Sequence, residues 1–167
     1  MNMIIKRDKY LDELIGWKHT DLIKIVTGLR RCGKSFLLFN LFHQHLLSSG
    51  TDESHIIEIA LDDISNEALR EPFRMLEYVK SKIKDDNQYY LIIDEVQLLG
   101  RFVDVLNSFM HIDNVYIYVT GSNSRFLSKD VATEFRGRGI EIHIYPLSFA
   151  ELYQARGGDK YALWKSY

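Results

Sequence analysis

The chain has 167 residues, 46% of them apolar and 26% charged, with a formal net charge of -2, a balance ordinary for a soluble globular domain with one proper core. No apolar run reaches the roughly 18 residues that cross a bilayer, and residues 1–9 lack a secretory stretch, so the expected location is the cytoplasm. The single cysteine, Cys32, excludes an internal disulfide framework, and the scattered histidines offer no zinc spacing.

Charge is uneven, with twelve of the 23 acidic side chains in residues 51–100. There is no general basic footprint for nucleic acid. Lys6, Arg7, Lys9, Lys18 and Lys24 could form a local patch, although a solvated face is the simpler reading.

In chain order, residues 6–15 space Tyr10, Leu11, Leu14 and Ile15 as one face of a short helix. Residues 22–26 read as a short β-branched strand. Gly28-Leu29-Arg30-Arg31-Cys32-Gly33-Lys34-Ser35 then matches the phosphate-loop pattern G-x-x-x-x-G-K-[ST], and residues 36–47 follow as an apolar helix. The strand, glycine loop and helix are the context that motif requires. The glycines allow positive φ, so that successive N–H groups can line a phosphate. Lys34 is expected to bridge the β- and γ-phosphates and Ser35 to ligate Mg²⁺. The expected nucleotide contacts are Gly28, Arg30, Arg31, Cys32, Gly33, Lys34, Ser35 and Phe36.

A turn at residues 48–52 leads to a second strand at 55–61. It ends in Asp62 and Asp63, which either order water near a metal or cap the next helix. Residues 68–84 carry Leu69, Phe73, Leu76, Val79 and Ile83 at helical steps. Residues 89–93 form an almost wholly apolar strand that stops at two carboxylates, Asp94 and Glu95. An apolar run of this kind suits a parallel sheet buried on both faces. In a phosphate-loop protein the first acid holds the metal and the second polarises the attacking water.

A helix at 101–110 and a strand at 115–120 come next, then the polar turn Gly121-Ser122-Asn123-Ser124. If that strand lies between the first and third, Asn123 or Ser122 can position water; otherwise the turn is a helix cap. Arg136 and Arg138 flank Gly137, with only Glu134 and Glu141 nearby in sequence for exposed ion pairs. Arg138, more than Arg136, is a candidate to act on a neighbouring copy's γ-phosphate within an oligomer. Residues 140–145 alternate as a one-sided strand nearer an edge, and Ser148 and Glu151 have capping-box spacing at the last helix. The alternation of strands and helices implies an α/β three-layer sandwich with a mostly parallel five-stranded sheet. Residues 1–156 read as one core and 157–167 as the start of a linker or tail.

The loop, Asp94-Glu95-Val96-Gln97, Thr120-Gly121-Ser122-Asn123-Ser124, and Gly137-Arg138 followed by Pro146-Leu147-Ser148-Phe149 together resemble a prokaryotic AAA+-type P-loop ATPase family. The resemblance spans nearly the whole chain. It implies the additional-strand order 5-1-4-3-2, ATP and Mg²⁺ as cofactors, and a further C-terminal domain as partner. It also implies adenine as the base, consistent with the lack of an Asn-Lys-x-Asp guanine motif. The expected activity is ATP hydrolysis with Ser35 and Asp94 on the metal and Glu95, Asn123 and Arg138 in catalysis. A nucleotide-held switch with little turnover and a DNA-associated motor are the alternatives.

Overall fold

The computed structural model describes residues 5–122 and 133–167. Strands β1 (Ile23–Gly28), β2 (Ile56–Ala60), β3 (Tyr89–Asp94), β4 (Val115–Gly121) and β5 (Gly139–Ile144) form one sheet in the order β2-β3-β4-β1-β5. Every neighbouring pair is parallel. β4 therefore separates the loop strand β1 from the acid strand β3, as the 5-1-4-3-2 order anticipates, and β5 is an edge strand. Parallel pairing brings the C-terminal ends of β1, β3 and β4 to one side of the molecule. In open parallel sheets that side is where ligands bind.

The apolar strands are explained by helices on both faces. All six residues of β3 are buried. Tyr89, Leu91 and Ile93 face one core and Tyr90 and Ile92 the other, the period of two of an extended chain. The first core is closed by helices α4 (Pro72–Lys82) and α5 (Phe102–Phe109), through Met75, Val79, Phe102, Leu106 and Phe109. The second is closed by α1 (Asp8–Gly16) and by the helix after the loop, through Tyr10, Leu14, Leu37, Leu38, Phe42 and Leu46. That helix is a short α2 (Lys34–Phe36), a π-helical stretch Leu37–Phe42, and α3 (His43–Ser48). Among the described residues no helix is long and apolar enough to cross a membrane.

Two expectations are revised. The helix expected over residues 68–84 is split: a 3₁₀ segment Ile64–Arg70 precedes α4, and Glu71 between them is extended. Pro72 accounts for the break, because its ring disfavours helical backbone at the preceding residue but suits the first helical position. Glu71 then caps α4, accepting from the N–H groups of Phe73 and Arg74. Asp63 likewise caps the 3₁₀ segment by accepting from Ser65 N–H. Within residues 157–167, helix α7 (Lys160–Ser166) places its Trp164 ring 4.8 Å from Phe149 on α6 (Phe149–Arg156). The local basic patch does not form, because Arg7, Lys18 and Lys24 are buried.

Lys24 shows why a lysine is tolerated in a central strand. Its ammonium donates to the Thr20 carbonyl at 2.6 Å and lies 4.9 and 5.0 Å from the ring centres of Tyr116 and Tyr118. Burial lowers its pKa from 10.5 to about 8, against a smaller opposing pull from Asp21. Between those values the unfolded chain binds more protons than the folded one, so this residue makes stability rise with pH. Lys24→Met is expected to remove that rise, read as the urea midpoint followed from about pH 8 to about pH 10. A variant whose midpoint climbs as steeply as the parent's would place the linkage elsewhere.

Candidate functional site

The loop between β1 and α2 takes its shape from a few backbone requirements. Gly28 has φ 147°, and a Cβ there would lie 2.4 Å from the Ile144 carbonyl oxygen and 2.8 Å from Cys32 Sγ. No other residue fits at this end of β1, beside Ile144 of the parallel neighbour β5. Gly33 caps α2 with φ 94°, and Arg31 is left-handed at φ 65°. Alternating backbone handedness of this kind turns N–H groups toward a common centre, an anion-binding concavity. Lys34 is buried, its ammonium donating to the carbonyls of Gly28 at 3.1 Å and Leu29 at 2.7 Å, with Cys32 Sγ at 3.8 Å. Arg30, Arg31 and Phe36 stand exposed around this mouth.

Opposite the loop, Asp94 closes β3. Ser35 Oγ donates to its Oδ2 at 2.7 Å and Thr120 Oγ1 to its Oδ1 at 2.5 Å. Burial pushes the Asp94 carboxyl above its ordinary value, with a further push from the charges of Glu95 and Asp62; the two hydroxyl donors pull the other way. No ammonium or guanidinium among the described residues pairs with this buried carboxyl. A hydroxyl beside a carboxylate, with no internal counter-charge, is a donor set that fits Mg²⁺.

Glu95 follows in a left-handed conformation (φ 55°, ψ 51°), held by its N–H donating to Thr120 Oγ1 at 2.9 Å. Its Oε2 accepts from Ser122 Oγ at 3.0 Å and from Gln97 Nε2. The fold thus brings together Lys34 and Ser35, which follow β1, and Asp94 and Glu95, at the end of β3, with Thr120 from β4 between them. Asn123 lies outside the described residues.

Arg138 belongs to the other end of the sheet. Its neighbour Gly139 pairs with Ile23, whereas Gly28 at the loop pairs with Ile144, a separation of about 17 Å at roughly 3.3 Å per residue. Its guanidinium donates to Asn107 Oδ1 at 3.0 Å and to the Glu134 carbonyl at 2.5 Å. The sequence offered two acids as partners; instead a side-chain amide and a backbone oxygen hold it. Glu141 is engaged by the Thr27 hydroxyl at 2.6 Å.

The sequence assigns three residues of this region no part in the nucleotide site. Thr120 joins both acids, Gln97 touches Glu95, and Arg7 ties the loop to the C-terminal segment. Arg7 donates to the Cys32 carbonyl at 2.7 Å, the Tyr145 carbonyl at 2.8 Å and Glu151 Oε1 at 2.9 Å. Burial works against the Glu151 charge, but the donors from Ser148 and Arg7 hold that carboxyl below its ordinary value. Beside Arg7 a cleft of about 320 Å³ is bounded by Ile5, Arg31, Gly33, Phe36, Pro146 and Leu147. Hydrophobic spacing could not have marked Arg7, since its partners lie 25, 138 and 144 residues away.

Comparison with known proteins agrees with this fold. An uncharacterised protein of Haemophilus influenzae is 33% identical over 157 residues, covering 93% of this chain and 39% of its own length. An uncharacterised protein of Methanocaldococcus jannaschii is 32% identical over 136 residues, 77% of this chain and 27% of its own length. The chain therefore spans well under half of these relatives. Among solved structures, C. elegans PCH-2 superposes with a TM-score of 0.62 at 18% identity, over 91% of this chain and 46% of that one. The Aeropyrum pernix ORC1 protein, solved in complex with DNA, gives 0.61 at 13% identity over 93% of this chain and 49% of that one. These two likenesses establish the fold. Residues 20–153 match the AAA domain family, and the chain belongs to that family of P-loop, nucleotide-binding ATPase domains.

Proposed function

We propose that this domain binds ATP with Mg²⁺ and hydrolyses it, coupling turnover to a change in a partner domain or a neighbouring copy. The observation that carries this reading is the convergence of Lys34, Ser35, Asp94, Thr120 and Glu95 where β1, β4 and β3 end. In the proposed complex the loop N–H groups and the Lys34 ammonium hold the phosphates, with Lys34 exchanging its carbonyl partners for phosphate oxygens. Ser35 and Asp94 hold the metal. Bound there, Mg²⁺ would neutralise charge on the β- and γ-phosphates. The cleft beside Arg7, apolar on the Phe36, Pro146 and Leu147 side, offers room for the base.

Glu95 would take a proton from water as that water attacks the γ-phosphorus and the bond to the bridging β–γ oxygen breaks, giving ADP and inorganic phosphate. Ser122 and Asn123 would orient the water. Water exclusion falls to the same cluster, since Asp94 and Thr120 are buried.

A nucleotide-held switch is the competing reading, and Glu95 separates the two. Glu95→Gln keeps the shape of the side chain and leaves Asp94 untouched. ATP affinity measured by calorimetry is expected to survive, and phosphate release to slow by a factor of about 10² or more. Hydrolysis at the parent's rate would assign Glu95 a structural part and favour the switch. The DNA-associated reading draws little from this surface, because three of the five clustered basic residues are buried.

Arg138 cannot reach its own chain's phosphate loop, so any catalytic part it plays is toward a second copy. Its exposed contacts, to Asn107 and a backbone carbonyl, can be exchanged for a phosphate. An arginine delivered in this way raises turnover about 10³-fold or more. ATPase activity per chain is therefore expected to rise with protein concentration, and Arg138→Ala to abolish the rise while ATP affinity stays constant. Flat specific activity across dilution, or a variant that keeps the rise, would return Arg138 to a surface turn.

A further inference from the structure

The turn after β3 is built around one carboxylate oxygen. Glu95 adopts a left-handed backbone, a strained conformation for a non-glycine residue. The Thr120 hydroxyl, which accepts its N–H, holds it there. Val96 is fully buried in the first core and pins the 3₁₀ turn Val96–Leu98. With Val96 anchored, the side chains of Glu95 and Gln97 meet, and Gln97 Nε2 donates to Glu95 Oε2. Ser122 Oγ, from the end of β4, donates to the same oxygen at 3.0 Å.

The chemistry of this pair is one-sided. An ionised carboxylate only accepts, so the amide must turn Nε2 toward Glu95. That choice leaves Gln97 Oε1 buried with no hydrogen-bond partner among the described residues. An unmade acceptor of this kind is a cost to stability. A methionine or leucine of similar size would fill the space without that cost. The contact with Glu95 is the feature of this position that only the amide provides.

We infer that Gln97 is a positioning residue for Glu95, a role that rests on Glu95 activating water. Two donors from different elements, one from the β3 turn and one from β4, fix both the place and the plane of the carboxylate. They do so through Oε2 alone, which leaves Oε1 to take the proton. A neutral amide does this without setting a full positive charge against the base. One donor alone would leave the carboxylate free to swing, and misplacement of a reacting group by about 1 Å can cost as much as 10² in rate.

The test is a double-mutant cycle on the ATPase. Gln97→Met is expected to lower kcat about tenfold while KM and calorimetric ATP affinity stay within about twofold, and Gln97→Glu, which sets a like charge against Glu95, to lower kcat further. In a Glu95→Gln background, Gln97→Met is expected to cost nothing more, because the group it positions is already gone. The inference is overturned if both Gln97 variants turn over at the parent's rate. It is also overturned if Gln97→Met costs the same factor in both backgrounds, the signature of packing alone. A Glu95→Gln protein as fast as the parent would instead remove the underlying reading of Glu95.

Discussion

A single buried carboxylate, Asp94, is the constraint that orders this domain's functional end. Ser35 reaches it from the phosphate loop and Thr120 from β4, one hydroxyl on each oxygen. A buried charge is tolerated only when its lone pairs are engaged. Placing Asp94 therefore also places the first turn of α2 and the end of β4. Thr120 extends the arrangement by accepting the Glu95 N–H, so one threonine couples the proposed metal ligand to the proposed base.

The strand order makes this possible. With β4 inserted between β1 and β3, the loop and the acids are one strand apart, and Thr120 is on the strand between them. Direct pairing of β1 with β3 would leave no place for that hydroxyl. The same parallel arrangement sends the start of β5, and Arg138 with it, to the far end of the sheet. A single chain thus presents its phosphate loop and this arginine about 17 Å or more apart along the strands.

Much of this could be read from residues whose requirements are local. The loop declared itself because glycine, lysine and serine at those spacings have few other uses, and β3 because a strand buried on both faces leaves no polar positions until Asp94. The Ser148–Glu151 capping box formed as its spacing indicates. What stayed hidden depends on partners far away in sequence. Arg7 and Lys24 looked like surface charges, yet one is held by two carbonyls and Glu151 and the other by a carbonyl and two tyrosine faces. Thr120 and Gln97 were visible only as letters of motifs, since their meaning arises where β3 and β4 end side by side. Pro72 was legible in principle, and helical periodicity across it hid the break.

The central claim is that Asp94 joins the loop to the metal, and the measurement that tests it most directly is ATP affinity with Mg²⁺ and with chelator, by calorimetry, in the parent and in Asp94→Asn. Asparagine keeps the shape and one acceptor but removes the charge. The account predicts that Mg²⁺ tightens ATP binding in the parent, and that Asp94→Asn loses most of that gain while its metal-free affinity stays near the parent's. An Asp94→Asn protein with the parent's full Mg²⁺-dependent gain would contradict it.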